Sequence, residues 1–167
     1  QLQARRAIEA DLRKALANDE FELFFQPQID LQENEICGFE ALLRWRHPER
    51  GLVSPAEFIP IAEDSGLIVP LGTWVLEQAC LEAAKWPETI RIAVNLSPVQ
   101  FRNKNLVQSV HRALTRSGLD PRRVELEVTE SVLRQDNDLT IATLHQLRRF
   151  GVQIAMDDFG TGYSSLS

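Results

Sequence analysis

Apolar and polar positions along the chain follow two alternating periods. From Gln1 to about Asn18, Leu2, Ile8, Leu12 and Leu16 approximate a helical stripe among arginines and carboxylates, which predicts a helix. Phe21 to Gln26 then alternates as a strand that Pro27 is expected to stop, and Ile36 to Trp45 forms a second strand beyond a turn at Glu33-Asn34. This hairpin makes the first two strands antiparallel. Ser54-Pro55-Ala56-Glu57 has the cap, first-turn proline and acid of a helix start, and a longer helix is predicted from about Leu71 to Lys85, ending before Pro87. Strand Arg91–Asn95, helix Leu106–Ser117 with Gly118 as its stop, strand Val124–Thr129, helix Leu139–Phe150 with Gly151, and strand Val152–Asp157 complete the series. Strands alternating with helices predict parallel βα units, and so an α/β sheet or barrel in one domain or part of one.

Strand alternation sorts the side chains further, because neighbours point to opposite faces. Ile92 with Val94, the aliphatics of Val124–Val128, and Val152, Ile154 and Met156 form rows suited to packing under helices. On the second strand Cys37, Phe39, Ala41, Leu43 and Trp45 share a face, with Gly38, Glu40, Leu42 and Arg44 opposite. The other faces therefore carry Glu40, Asn95, Glu127 and Asp157. The last three lie at or near the C-terminal ends of parallel strands, where α/β proteins assemble their sites.

Composition narrows the chemistry. With 167 residues, 44% of them hydrophobic, the chain can bury a substantial core without disulfides or a structural metal. Its 24 acidic against 18 basic residues and absence of a basic stripe argue against binding a DNA or RNA polymer. Cys37 and Cys80 are too far apart for a zinc knuckle, and a reduced, cytoplasmic setting is expected. No apolar run reaches the roughly 18–20 residues of a membrane span.

Oxygen ligands from one Asn and several carboxylates, without Cys or His, suit a hard cation such as Mg²⁺ or Mn²⁺. If Glu40, Glu127, Asp157 and Asp158 converge, their mutual repulsion calls for divalent ions, and the Asp157-Asp158 pair could bridge two of them. Each residue also has a plainer reading. Asp-Asp before a glycine turn is commonly a solvated loop, Asn95 could make a turn, and Glu127 or Glu130 could pair with Arg122 or Arg123. Glu40 is harder to dismiss, since an acid in an apolar strand needs a partner. Arg44 could grip a phosphate or form a structural ion pair. Gln26 could contact a base or the scaffold. His47, His111 and His145 fit no ligand spacing and suit surface or capping roles, and Trp45, Trp74 and Trp86 suit a core or interface. Asp158-Phe159-Gly160 lacks the companion motifs of a kinase.

Taken together, the motifs resemble a known family. Gly38-Phe39-Glu40-Ala41-Leu42-Leu43-Arg44-Trp45-Arg46-His47-Pro48, Phe58-Ile59-Pro60-Ile61-Ala62-Glu63, Asn95-Leu96-Ser97-Pro98, Glu127-Val128-Thr129-Glu130 and Asp157-Asp158-Phe159-Gly160-Thr161-Gly162-Tyr163-Ser164-Ser165-Leu166 follow, in order, the pattern of EAL domains, the bacterial cyclic di-GMP phosphodiesterases. The resemblance covers the chain from about Glu20 onward. It implies a modified (β/α)₈ TIM-like barrel with an antiparallel first strand, and hydrolysis of cyclic di-GMP to linear pGpG with two Mg²⁺ or Mn²⁺ ions. By that likeness Glu40, Asn95, Glu127 and Asp157 hold one ion, Asp157 and Asp158 serve the second, and Glu130 anchors the loop beginning at Asp158. Glu40, Asp157 and Asp158 are thereby the catalytic candidates. Arg44 and, less directly, Gln26 contact substrate.

The family pattern continues with a Lys in an Asp-x-Leu-Lys-Ile-Asp context, a further Glu and a Gln. None of these falls within the 167 residues. Five strands are counted where the resemblance implies eight, so residues 19–167 are expected to form the N-terminal two-thirds of an EAL domain, inactive alone, with 1–18 a connector helix. A homodimer and an upstream GGDEF-type domain in the parent are likewise implied, with membrane anchoring of the parent left open. The alternative is a sensor module that binds cyclic di-GMP without cleaving it.

Overall fold

A computed structural model describes residues 2–134 and 138–156. Helix α1 (Leu2–Ala15) leads into the long antiparallel hairpin β1 (Phe21–Asp30) and β2 (Glu35–His47), after which the short β3 (Gly51–Val53) folds back on β2. Helices α2 (Pro55–Ser65) and α3 (Ile68–Ala83) precede β4 (Arg91–Asn95); α4 (Pro98–Arg102) and α5 (Leu106–Ser117) precede β5 (Val124–Val128); α6 (Glu130–Arg134) and α7 (Asp138–Arg149) precede β6 (Gln153–Met156). The sheet order is β1-β2-β4-β5-β6. Its β2-β4-β5-β6 part is parallel throughout, as strands joined through helices require, and β3 lies off this path against β2.

The rows of aliphatics expected on β4 and β5 are buried, whereas in the third row Val152 is buried, Ile154 half-buried and Met156 exposed. Ile92, Val94, Val124, Leu126 and Val128 are almost wholly inaccessible. Helix α5 buries a stripe of Leu106, Val110, Ala113 and Leu114 in the same core, packed against α3, and stops at Gly118, whose φ of 70° closes the helix in the left-handed region that glycine tolerates. At the β1-β2 end the core is aromatic. Phe21 packs against Trp45, Phe58 and Trp74 at centroid distances of 5.8, 6.0 and 6.2 Å, while the Trp45 indole N–H donates to Glu20 at 3.0 Å. Trp86 sits at the edge of this layer against Phe25 and Phe39.

Helix α1 is fastened to this body by more than its buried Ile8, Leu12 and Ala15. Arg5 pairs with Asp64 on α2. The buried His47 ring accepts the backbone N–H groups of Glu49 and Arg50 on Nδ1, at 3.0 and 3.1 Å, so Nε2 carries the proton and donates to Asp11 at 2.7 Å. His47 thus has a capping role from a buried position.

Several boundaries depart from expectation, each for a local reason. Pro27 does not stop β1, because among the described residues β1 pairs on one side only and its missing N–H costs no ladder bond; a register shift follows at Gln28/Ile29. The sheet has six strands among the described residues, not five, since β3 is too short to show periodicity. Helix α3 starts three residues earlier than predicted, because Pro70 falls in its first turn, where the N–H is unpaired anyway. Helix α2 starts at Pro55 as expected, but the Ser54 hydroxyl makes no cap bond. Helices α4 and α6, of five residues each, were not anticipated. No single helix among the described residues is long and apolar enough to cross a membrane.

Helix α3 is locked at both ends. The Arg123 guanidinium donates to the carbonyl of Ala83, the last residue of α3, and to those of Pro87 and Ile90 in the segment that follows, at 2.9–3.0 Å. Near its start Gly72 admits the buried Gln100 so closely that a Cβ there would lie 2.0 Å from Gln100 Nε2. Gly72→Ala is therefore expected to expel Gln100 and lower stability by about 1–3 kcal/mol, read by urea denaturation. Burial also raises the Cys80 thiol to about 12. Native protein at pH 8 should release one thiol equivalent to Ellman's reagent, from the exposed Cys37, and two after unfolding. Because the folded Cys80 resists ionisation, stability should fall as pH rises above the ordinary thiol value of about 8.5.

Candidate functional site

Four strands contribute to one polar row. Register sets Gln26 on β1 opposite Glu40 on β2, and Asn95 on β4 beside Glu127 on β5. Glu40 pairs with Ala93, two residues before Asn95 and on the same face, and the row closes across that diagonal: Asn95 Nδ2 donates to Glu40 Oε2 at 3.0 Å. Glu40 is only 9% exposed, so this bond offsets part of the cost of burying its carboxylate. Next in register after Glu127 comes Ala155 on β6, one residue before Met156. Asp157 and Asp158 lie outside the described residues.

The loop leaving β4 is built to hold Asn95 still. The Leu96 N–H donates to the Glu127 carbonyl at 2.9 Å, prolonging the β4-β5 ladder past Asn95. Ser97 caps α4: its hydroxyl accepts from the Val99 N–H while its own N–H donates to Gln100 Oε1, a reciprocal capping box. On the other face of the sheet, a cavity of about 420 Å³ runs between Ala41 and Leu43 of β2 and residues that include Glu63, Gln100, Glu130 and Arg134. Alternation along β2 puts Ala41 and Leu43 opposite Glu40, while at the end of β4 the cavity reaches Asn95 and Ser97.

Glu40, Asn95 and Glu127 are oxygen donors on successive strands, the last two at the C-terminal side of the parallel sheet and Glu40 mid-strand on β2. Such a set suits a hard divalent cation. Among the described residues no group of three His, Cys, Asp or Glu side chains is gathered tightly enough to hold a metal. Residues 9–167 match the family described as the EAL domain. The chain belongs to the EAL domain family.

Its relatives agree. An uncharacterized protein of Sinorhizobium fredii, y4lL, is 55% identical over 99% of this chain, and the bifunctional diguanylate cyclase/cyclic di-GMP phosphodiesterase MucR of Pseudomonas aeruginosa is 48% identical over 93% of it. The chain spans 20% and 23% of the length of these two proteins. A solved structure of the PaMucR phosphodiesterase in complex with c-di-GMP superposes with a TM-score of 0.88 at 46% identity, covering 95% of this chain and 66% of that one. The six-stranded sheet and its helices are accordingly part of a TIM-like α/β barrel.

In this EAL chain the remaining candidates divide. Arg44 follows Glu40 on the same face of β2, half-buried, with its guanidinium 5.3 Å from the Phe24 ring centroid and Nη1 donating to the Leu43 carbonyl. Among the described residues it makes a cation–π contact in place of the structural ion pair. Gln26 is exposed at the edge of the row. Glu130 opens α6 and pairs with Arg134 at 3.3 Å. Arg122 is taken by Asp120, whose carboxyl its hydrogen bonds hold below the usual range, and Arg123 by the Ala83, Pro87 and Ile90 carbonyls, while Glu130 has Arg134. The capping box and the carboxylate of Glu63 were missed by sequence reasoning, although Ser97-Pro98-Val99-Gln100 carries the capping signature.

Asn95→Leu removes the N–H donor facing Glu40 and should cost about 1–3 kcal/mol. Adding Glu40→Gln should return part of that loss. A double-mutant cycle from chemical denaturation measures the coupling.

Proposed function

We propose that this EAL chain carries the metal-ligand half of a phosphodiesterase site that hydrolyses cyclic di-GMP to linear pGpG. The observation that carries the reading is the Glu40–Asn95 hydrogen bond beside Glu127, an oxygen-donor row with Glu40 buried on β2 and Asn95 and Glu127 half-buried near the C-terminal ends of β4 and β5. Its place in a family with a relative named as a cyclic di-GMP phosphodiesterase, and a solved neighbour described as a c-di-GMP complex, supports the same substrate.

Glu40, Asn95, Glu127 and Asp157 would hold one Mg²⁺ or Mn²⁺, with Asp157 and Asp158 serving a second. The donor set fits. Two carboxylates and a carboxamide offer only oxygen, and Asn95 gives its N–H to Glu40, so its oxygen is the atom suited to a cation. When bound, such ions activate a water and offset charge on the phosphate and its leaving oxygen. The chain's own residues orient the substrate. Arg44 is held in place by its contacts with Phe24 and the Leu43 carbonyl, leaving further guanidinium N–H groups for a phosphate. Gln26, exposed opposite Glu40, offers a carboxamide to a guanine edge. Assembly as a homodimer beside a diguanylate-cyclase-type domain belongs to the same proposal.

The test incubates the protein carrying this chain with cyclic di-GMP and Mg²⁺ or Mn²⁺ and resolves pGpG by chromatography. Glu40→Gln and Glu127→Gln should each lower kcat/KM by at least about 100-fold. Arg44→Ala should raise KM more than it lowers kcat. The 167 residues alone are expected to give no measurable turnover. Tight binding of cyclic di-GMP without pGpG, at saturating metal, would overturn hydrolysis in favour of a sensor.

A further inference from the structure

Helix α2 ends near Glu63, which belongs to neither strand nor metal row yet reaches the loop after β4. Glu63 Oε2 accepts the Ser97 hydroxyl proton at 2.6 Å, the distance of a strong O–H···O⁻ bond. Ser97 has one hydroxyl hydrogen and gives it to Glu63, so the same oxygen turns its lone pairs toward the Val99 N–H at 3.1 Å. The Ser97 N–H is meanwhile fixed by Gln100 Oε1 at 2.9 Å, and Gln100 is wedged into the space left by Gly72. Ser97 is therefore held on three sides. One residue back, Leu96 is tied to the Glu127 carbonyl. Two residues back stands Asn95, whose carboxamide bridges to Glu40. The chain from Asn95 to Ser97 is thus pinned between the sheet and α2, and Glu63 is the only one of these anchors that comes from α2.

We infer that Glu63 is a positioning residue for the oxygen-donor row: by clamping Ser97 it fixes the direction in which Asn95 presents its carboxamide. The inference rests on the metal-dependent reading of the site. Glu63 touches neither substrate nor ion in this role. Its effect is geometric, and outer partners that orient a ligand typically change metal affinity about 10–100-fold when lost.

Mn²⁺ titration of the protein carrying this chain, by calorimetry without nucleotide, is the primary readout, with cyclic di-GMP turnover at saturating Mn²⁺ beside it. Glu63→Ala and Ser97→Ala should each weaken Mn²⁺ binding about 10-fold or more, and the double variant should be no worse than either alone, because both remove one link. Glu63→Gln keeps an acceptor oxygen for the Ser97 hydroxyl and should stay within about threefold of wild type. Thermal unfolding separates this from a purely structural role. A lowered Tm with unchanged Mn²⁺ affinity, measured well below that Tm, would overturn the inference, as would additive losses in the double variant. Wild-type protein that binds no Mn²⁺ would overturn the metal reading and the inference with it. Wild-type protein that binds Mn²⁺ without cleaving cyclic di-GMP would overturn only the hydrolytic reading, and altered affinity in Glu63→Ala would still support the clamp.

Discussion

A carboxylate in the middle of a buried sheet is the constraint around which the rest is arranged. Glu40 is flanked along β2 by Phe39, Ala41, Leu42 and Leu43, and it is nearly inaccessible to water. Desolvating a carboxylate costs several kcal/mol unless charge or hydrogen bonds answer it. The answer comes from the next parallel strand, where Asn95 donates an N–H at 3.0 Å. That bond exists only in one register. A one-residue slip of β4 would turn Asn95 to the helix-covered face and bring Val94 or Leu96 to Glu40. The same interaction that makes the acid tolerable therefore helps choose the pairing that brings Glu127 beside Asn95.

The helical layer works to protect that register. Gln100 under Gly72, Arg123 on the Ala83 carbonyl and the Phe21–Trp45–Phe58 cluster each join elements distant in sequence. All three lie on or around the face opposite Glu40, so the polar row is bordered by a rigid support rather than by other mobile polar groups. Preorganised oxygen donors on strand ends have this advantage over donors on loops, since the backbone that carries them is already fixed by ladder bonds.

Strand faces were legible in the sequence because alternation is a strong signal: Val124–Val128 sorts its aliphatics from Glu125 and Glu127 without help, and β4 and α5 have the bounds predicted for them. Glu40 could be singled out as an acid in an apolar strand, but its partner could not, because a diagonal contact between residues 55 positions apart leaves no local trace. The elements that escaped are short. β3 has three residues, and α4 and α6 have five each, below the length at which a period shows. Pro27 misled for a different reason. Its effect depends on whether the strand has a neighbour on that side, which is a property of the sheet and not of the residue.

Adjacent carboxylates on α2 face different tasks. Asp64 pairs with Arg5 on α1, while Glu63 holds Ser97 behind Asn95. The Arg5–Asp64 pair is solvent-exposed and a weak tie, so a displacement of α1 would reach Glu63 mainly through the packing of α1 on α2. His47 and Asp11 limit such a displacement, since their bond ties α1 to the end of β2, the strand that carries Glu40 and Arg44. The N-terminal helix is thus joined to the oxygen-donor row along two routes, one through α2 to Asn95 and one through β2 to Glu40. Because those two residues meet in a single hydrogen bond, any motion that separates the routes must strain or break it.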